Sequence, residues 1–402
     1  MSLGEIHGDL TGRTVLITGA TGFIGGRLAE RLVLEHGAHV RALVRNVAAA
    51  SRLVRFPVTV IRGDVTNPSD LATGAQGCDL VFHCAYGTSG SQKHRAWINT
   101  EGTRRLLEAA RNAKARRAIC LSTLMVYGQT ADGDLDETAP RRRFGNHYSD
   151  SKLEAERLAL DFSRSGALPV AVIQPTAVYG PWGGVWTEAV LRSLKAGRQI
   201  LINGGDGMAN PVYVDDLVSA MLLAAVQDEA VGEAFLICGE EAGEEAITWR
   251  EMFGRFEKML GNERRTVDMT PAEALDHWRA WKRKQPRLIG EGLRILKGER
   301  EIRERVQSTR EGIWLREMAS TVLPESWQQK IKARMAGGGR PPAPRSRELP
   351  IHPLPPKMIG FFQAKTRVRI EKAKRLLGYQ PTFDFATGMD LTERWARWAN
   401  LL

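Results

Sequence analysis

Short apolar runs alternate with helical patterns along the first 175 residues. Residues 13–18, RTVLIT, form a β-branched run, and Leu28, Leu32 and His36 then recur at i, i+4 and i+8 until Gly37 marks a helix end. The next run, HVRALV, occupies 39–44. Further strands are predicted at 58–62, 79–85, 118–122 and 170–174, separated by helices at 69–75, 95–113 and 149–165. Near-continuous apolar strands between amphipathic helices predict an α/β fold: a doubly wound parallel sheet covered on both faces.

Composition changes this picture little, and charge changes it locally. The 402 residues are 43% hydrophobic and 26% charged, an ordinary globular balance for two to three folding units. The net charge of +11 is unevenly spread: 29 basic and 16 acidic residues follow residue 260, leaving 28 and 30 before it. A near-neutral body with a basic C-terminal third is a poor match to a nucleic-acid binder. Cys78, Cys84, Cys120 and Cys238 include no C-x-x-C pair, so no metal set is expected, and they suit buried reduced thiols in the cytosol. The N-terminus carries no basic segment followed by an apolar stretch, and no run of about 18 apolar residues occurs. A cytoplasmic protein without a membrane span is the expectation.

The candidate chemistry begins at Gly19, Gly22 and Gly25, a G-x-x-G-x-x-G spacing directly after a strand and opening a helix. Glycines there permit a tight turn and close approach of a diphosphate to the backbone, while the helix N-terminus offers unpaired N–H groups. This strand-loop-helix context points to a dinucleotide and a Rossmann-type sheet. The second strand ends Val44-Arg45-Asn46 with no acid in reach of a ribose 2′-hydroxyl, and Arg45 stands where a 2′-phosphate partner would; NADP is therefore preferred over NAD.

TGATGFIG at 18–25, Gly63-Asp64-Val65, His83-Cys84-Ala85, Asn99 with Gly102-Thr103, Ser122-Thr123 before Val126-Tyr127-Gly128, Tyr148-x-x-Ser151-Lys152, Pro175-x-x-Val178-Tyr179-Gly180-Pro181 and Val214-Asp215-Asp216 follow one another in order. Taken together the chain resembles the extended short-chain dehydrogenase/reductase superfamily, the NAD-dependent epimerase/dehydratase family, over roughly 13–260 and again at 365–400. Reversible hydride transfer needs a group to take and return the hydroxyl proton, and a nearby ammonium favours the phenolate of a tyrosine. Tyr148 and Lys152, at i and i+4, face one cleft. The resemblance implies that Thr123 completes the catalytic set and that Lys152 also holds the nicotinamide ribose. It further implies that Gly19, Thr21, Gly22, Phe23, Ile24 and Gly25 cradle the cofactor, that Asp64 and Val65 flank its adenine, that Ala85 and Tyr86 line the cleft, that Asn99 orders the fourth strand and its loop, and that Pro175 and Val178 lie by the nicotinamide. His83 is expected to be structural.

Two departures narrow the reaction. Leu124-Met125 stand where the family's dehydratases and decarboxylases carry acid residues, which disfavours elimination from that position. Met208-Ala209-Asn210-Pro211-Val212 lack the arginine that many nucleotide-sugar enzymes aim at a diphosphate. An NAD(P)-dependent oxidoreductase acting at a carbinol or carbonyl carbon ranks first; a nucleotide-sugar epimerase working through a transient ketone, and a non-catalytic dinucleotide-binding sensor, remain as alternatives.

The domains expected are a dinucleotide-binding Rossmann domain (1–175), a smaller substrate-binding lobe (176–260), a basic helical insertion (261–336), a Gly/Pro-rich connector (337–360) and a C-terminal segment (361–402) completing the lobe. Within the insertion Ile289, Leu293 and Leu296, then Ile302, Val306 and Ile313, keep helical spacing, and six of the ten tryptophans follow residue 260. The first reading is a helical cap over the cleft or against a second copy in a homodimer. A peripheral membrane-surface contact comes next, and nucleic acid last. A small-molecule substrate is the expected partner.

Overall fold

The computed structural model describes residues 10–87, 90–128, 132–239, 246–284 and 349–402. Seven strands build the main sheet: β1 (Thr14–Thr18), β2 (His39–Val44), β3 (Thr59–Arg62), β4 (Leu80–His83), β5 (Arg117–Leu121), β7 (Val170–Pro175) and β11 (Ala234–Ile237). Their order is β3-β2-β1-β4-β5-β7-β11, all parallel. This is the doubly wound Rossmann-type sheet expected from the alternation. β1, β4, β5 and β7 are buried along nearly their whole length, since helices cover both faces. The chain leaves β1 toward β2 on one side, and β4 joins β1 on the other, so a crevice opens beyond their C-terminal ends.

The helices flanking this sheet are α1 (Phe23–Leu34), α2 (Pro68–Ala75), α3 (Gln92–Asn112), α4 (His147–Arg164) and α6 (Val214–Val226). Local chemistry sets their starts. Asn67, Ser91 and Asn146 each cap a helix with a side-chain oxygen, and Asn67 is followed by Pro68 at the first turn. α6 carries the motif Val214-Asp215-Asp216, whose acids are structural here. Asp215 pairs with Arg27 of α1 at 2.6 Å, and Asp216 accepts from the backbone of Thr382 at 2.8 Å and Phe383 at 3.3 Å, binding the C-terminal segment to the body.

A smaller lobe sits on the C-terminal edge of the sheet. It holds three two-stranded parallel pairs: β8 (Ala177–Tyr179) with β10 (Pro211–Tyr213), β9 (Gln199–Ile202) with β12 (Thr266–Met269), and β6 (Gly133–Leu135) with β13 (Thr366–Val368). Helices α5 (Ala189–Ala196), α7 (Trp249–Met259), α8 (Pro271–Lys284), α9 (Pro356–Gln363), α10 (Glu371–Leu377) and α11 (Phe385–Trp398) complete it. Several elements run across the expected boundaries: α6 and β11 join the main sheet, while β6 and the chain from 261 to 284, with β12 and α8, belong to the lobe. The Ile289–Leu296 and Ile302–Ile313 patterns, and the connector up to residue 348, lie outside the described residues.

Candidate active site

β1 leads into Gly19, whose φ of +76° suits glycine, and a Cβ there would lie 2.6 Å from the Ala85 nitrogen and 2.7 Å from the Cys84 carbonyl carbon. A Cβ on Gly25 would lie 2.4 Å from the Gly19 oxygen. Backbone therefore approaches backbone where a side chain would intrude, which positions the loop between the tips of β1 and β4. α1 opens at Gly22 without a side-chain cap, so its first amides face the crevice as donors for an anion.

The crevice is a cavity of about 650 Å³. Leu43, Val44, Arg45, Gly63 and Val65 line one end; the glycine loop, with Thr21, Phe23 and Ile24, then Ala85 and Tyr86, follow. Thr123, Tyr148, Lys152, Pro175 and Val178 come next. The far walls are Met125, Val185, Trp186, Met208, Phe361 and Ala364. Among the described lining residues Arg45 and Lys152 are the only formal cations. Asp64 and Asn99 are placed differently from the other expected cofactor residues. The Asp64 carboxylate accepts from its own turn, at 2.8 Å from the Thr66 nitrogen and 2.7 Å from its hydroxyl. The Asn99 amide lies behind the wall, accepting from the Gly87 nitrogen at 2.7 Å and donating to Ser151 Oγ at 2.9 Å.

Asn146 Oδ1 caps α4 by accepting from the Tyr148 nitrogen at 3.0 Å, which sets Tyr148 and Lys152 on successive turns of one face. Lys152 is 8% exposed and donates from Nζ to the Leu121 carbonyl at 2.8 Å. Burial holds its ammonium down to about 8, with Cys84, Cys120 and Glu156 acting in the opposite direction. Tyr148 is 41% exposed where it faces the open cleft, and its ring meets that of Tyr86 edge-on at 5.9 Å. Crowding of its hydroxyl end pushes the phenol up, while the nearby Thr123 hydroxyl pulls it down.

His83 is occupied on both sides. Thr103 donates its hydroxyl to the Asn99 carbonyl at 2.6 Å, so His83 Nε2–H donates to Thr103 Oγ1 at 3.0 Å and Nδ1 accepts from Thr18 Oγ1 at 2.7 Å. Burial lowers its pKa to about 3, keeping it neutral as a link between β1, β4 and α3. This arrangement can bind a diphosphate-linked cofactor at one end and present a phenol, an ammonium and a hydroxyl to a substrate at the other.

A family model described as the NAD dependent epimerase/dehydratase family matches residues 15–238. The chain belongs to that family. It is 28% identical to the 2-alkyl-3-oxoalkanoate reductase of Shewanella oneidensis over 240 residues, 56% of this chain and 61% of that protein. It is 31% identical to the 3-beta-hydroxysteroid dehydrogenase of Mycolicibacterium neoaurum over 251 residues, 57% and 68% of the two chains. The match thus spans less than two thirds of the first relative. The UDP-glucuronic acid 4-epimerase of Bacillus cereus, solved with UDP-glucuronic acid and NAD, shares the fold with a TM-score of 0.64 at 19% identity, over 96% of this chain and 99% of that one.

Membership of the epimerase/dehydratase family was legible in the ordered motifs. The walls supplied by Trp186, Met208, Phe361 and Ala364 were not, because no local pattern tells which aromatic of a distant helix will reach a cleft. Phe361 reaches it because α9 packs on α8, the Trp186 ring stacks on it with centroids 6.0 Å apart, and the Trp249 ring meets it tilted at 5.3 Å.

Proposed function

We propose that this protein is an NAD(P)-dependent oxidoreductase acting at the carbonyl or carbinol carbon of a bulky, largely apolar substrate. One observation carries the reading: a single cavity joins the glycine cradle to Thr123, Tyr148 and Lys152 and then ends in apolar walls without a further described cation. A nucleotide sugar would ask for a cation to meet its diphosphate. A ring or acyl chain asks only for apolar burial, worth about 1.5–3 kcal/mol per well-buried group.

The cradle fits a dinucleotide, since its glycines leave room only where no Cβ stands and α1 turns uncapped amides toward it. When bound, that group supplies or accepts the hydride. Arg45 would meet a 2′-phosphate, and among the described lining residues no carboxylate stands at the same end of the cavity, which supports NADP. In reduction Tyr148 would give its hydroxyl proton to the substrate oxygen as hydride reaches the carbon; in oxidation the phenolate would take that proton back. Lys152, held at the Leu121 carbonyl, would lower the cost of the phenolate by its charge. Thr123, which lines the cavity beside Tyr148, would steady the substrate oxygen.

The test is NADPH consumption with long-chain β-keto and steroid-like ketones, beside UDP-sugars, for the wild type and for Tyr148→Phe. The expected result is turnover of the apolar ketones, lost by at least about hundredfold in Tyr148→Phe with NADPH still bound. Interconversion of UDP-sugars without net NADPH consumption would replace this reading by the epimerase.

A further inference from the structure

We propose that Glu156 is a positioning residue for the catalytic set, a buried carboxylate that ties Lys152, Thr123 and the loop before Tyr148 into one arrangement. The inference rests on the reading of Tyr148 and Lys152 given above. Glu156 stands one turn beyond Lys152 on α4, and its side chain is 1% exposed.

Every partner of this carboxylate is a donor. Ser122, next to Thr123, donates its hydroxyl to Oε2 at 2.6 Å. Arg141 donates from Nη1 to Oε1 at 2.6 Å, and Gln174, next to Pro175, donates from Nε2 to both oxygens at 2.9 and 3.0 Å. Tyr127 in turn donates to Gln174 Oε1 at 2.9 Å, which keeps the amide's nitrogen toward Glu156. An ionised carboxylate offers acceptors alone, so it satisfies this ring of donors as no neutral side chain does. The three partners and Tyr127 come from the end of β5, the loop into α4, the end of β7 and the turn at 124–127. The first, third and fourth of these segments supply Leu121 to Thr123, Pro175 and Leu124 with Met125 to the cleft lining, and the loop into α4 leads directly to Tyr148. An error of an ångström there is worth about a hundredfold in rate.

The same charge acts on Lys152. The groups facing that ammonium are Cys84 after β4, Cys120 on β5, neutral His83, the Tyr86 ring at 5.6 Å and Glu156. Both thiols are held protonated by burial, near 12, so Glu156 is the formal anion among them at neutral pH. Facing Glu156 itself are Arg141, Ser122, Gln174 and, through Gln174, Tyr127. Loss of its charge moves Lys152 further toward the neutral amine, weakening support for the Tyr148 phenolate.

The experiment compares wild type, Glu156→Gln, Glu156→Asp and Ser122→Ala. Each is followed by lysine-selective carbon NMR titration of the protein without cofactor, by NADPH titration and by kcat against pH. Lys152→Met identifies the Lys152 resonance. Glu156→Gln must turn an amide nitrogen toward donors; the expected result is a Lys152 midpoint lower by about one pH unit, an alkaline limb of kcat displaced the same way, and kcat reduced about tenfold to a hundredfold with NADPH affinity kept within about threefold. Glu156→Asp keeps the charge and should restore the Lys152 midpoint while kcat stays low. If Glu156→Gln does not fold, Ser122→Ala carries the test, with kcat lowered about tenfold and the midpoint unmoved. A wild-type Lys152 midpoint and wild-type kcat in Glu156→Gln overturns the proposal, as does wild-type kcat in Ser122→Ala where the glutamine variant is unfolded. Turnover surviving in Tyr148→Phe would instead overturn the underlying catalytic reading, a result the NMR titration does not share.

Discussion

Replacing Lys152 by Met should make the protein more stable and inactive at once. Burial holds the ammonium at about 8 against its usual 10.5. At about 1.4 kcal/mol per pH unit, that gap amounts to about 3 kcal/mol of folding free energy. Below pH 8 the lysine is charged in both states and the folded protein bears the full cost. Between pH 8 and 10.5 the unfolded chain binds more protons than the folded one, so wild-type stability from this group climbs with pH; above 10.5 the cost is gone. Methionine removes the charge but strips the Leu121 carbonyl of its donor, a loss of about 1 kcal/mol. The variant should therefore gain about 2 kcal/mol over wild type at pH 7 and lose this advantage by about pH 10.5. Urea denaturation of the cofactor-free proteins between pH 7 and 10.5 measures it, and NADPH consumption checks that turnover falls at least about hundredfold. A variant no more stable at pH 7, or a gain that does not decline with pH, would refute the reasoning.

Other substitutions test separate parts of the site. Gly19→Ala places a methyl against the Ala85 and Cys84 backbone at a left-handed φ, and should cost about 2–5 kcal/mol of stability together with NADPH binding, read by denaturation and fluorescence titration. Arg45→Asp should shift the ratio of KM for NADPH to that for NADH by about tenfold to a hundredfold toward NADH, in steady-state assays with either cofactor. Phe361→Ala opens the aromatic wall and should raise KM for bulky ketones about tenfold, with little change for a short-chain ketone.

The alternation of apolar runs and helical stretches was enough to read the parallel sheet, because β1, β4, β5 and β7 are buried on both faces and their pattern is local. The glycine loop and the Tyr148–Lys152 pair were legible for a similar reason. A tight turn and an i, i+4 spacing each act within a few residues, and both groups line one cavity in the structure. Asp64 and Asn99 were also recognisable as motif residues, but their side chains are committed to a turn and to the loop wall.

What the sequence by itself determined, therefore, was the sheet, the glycine turn and the side chains that meet in the cleft. Which of those groups are charged, and what they face, only the tertiary structure decided. Lys152 titrates near 8 because distant strands exclude water from it, and His83 stays neutral because two threonines and burial hold it so. Glu156 meets only donors, drawn from the ends of β5 and β7 and from the loop before α4. Phe361 and Met208 form the apolar end of the cleft through packing of segments more than 150 residues apart. Desolvation and long-range packing depend on which parts of the chain meet, and no window along the sequence contains that information.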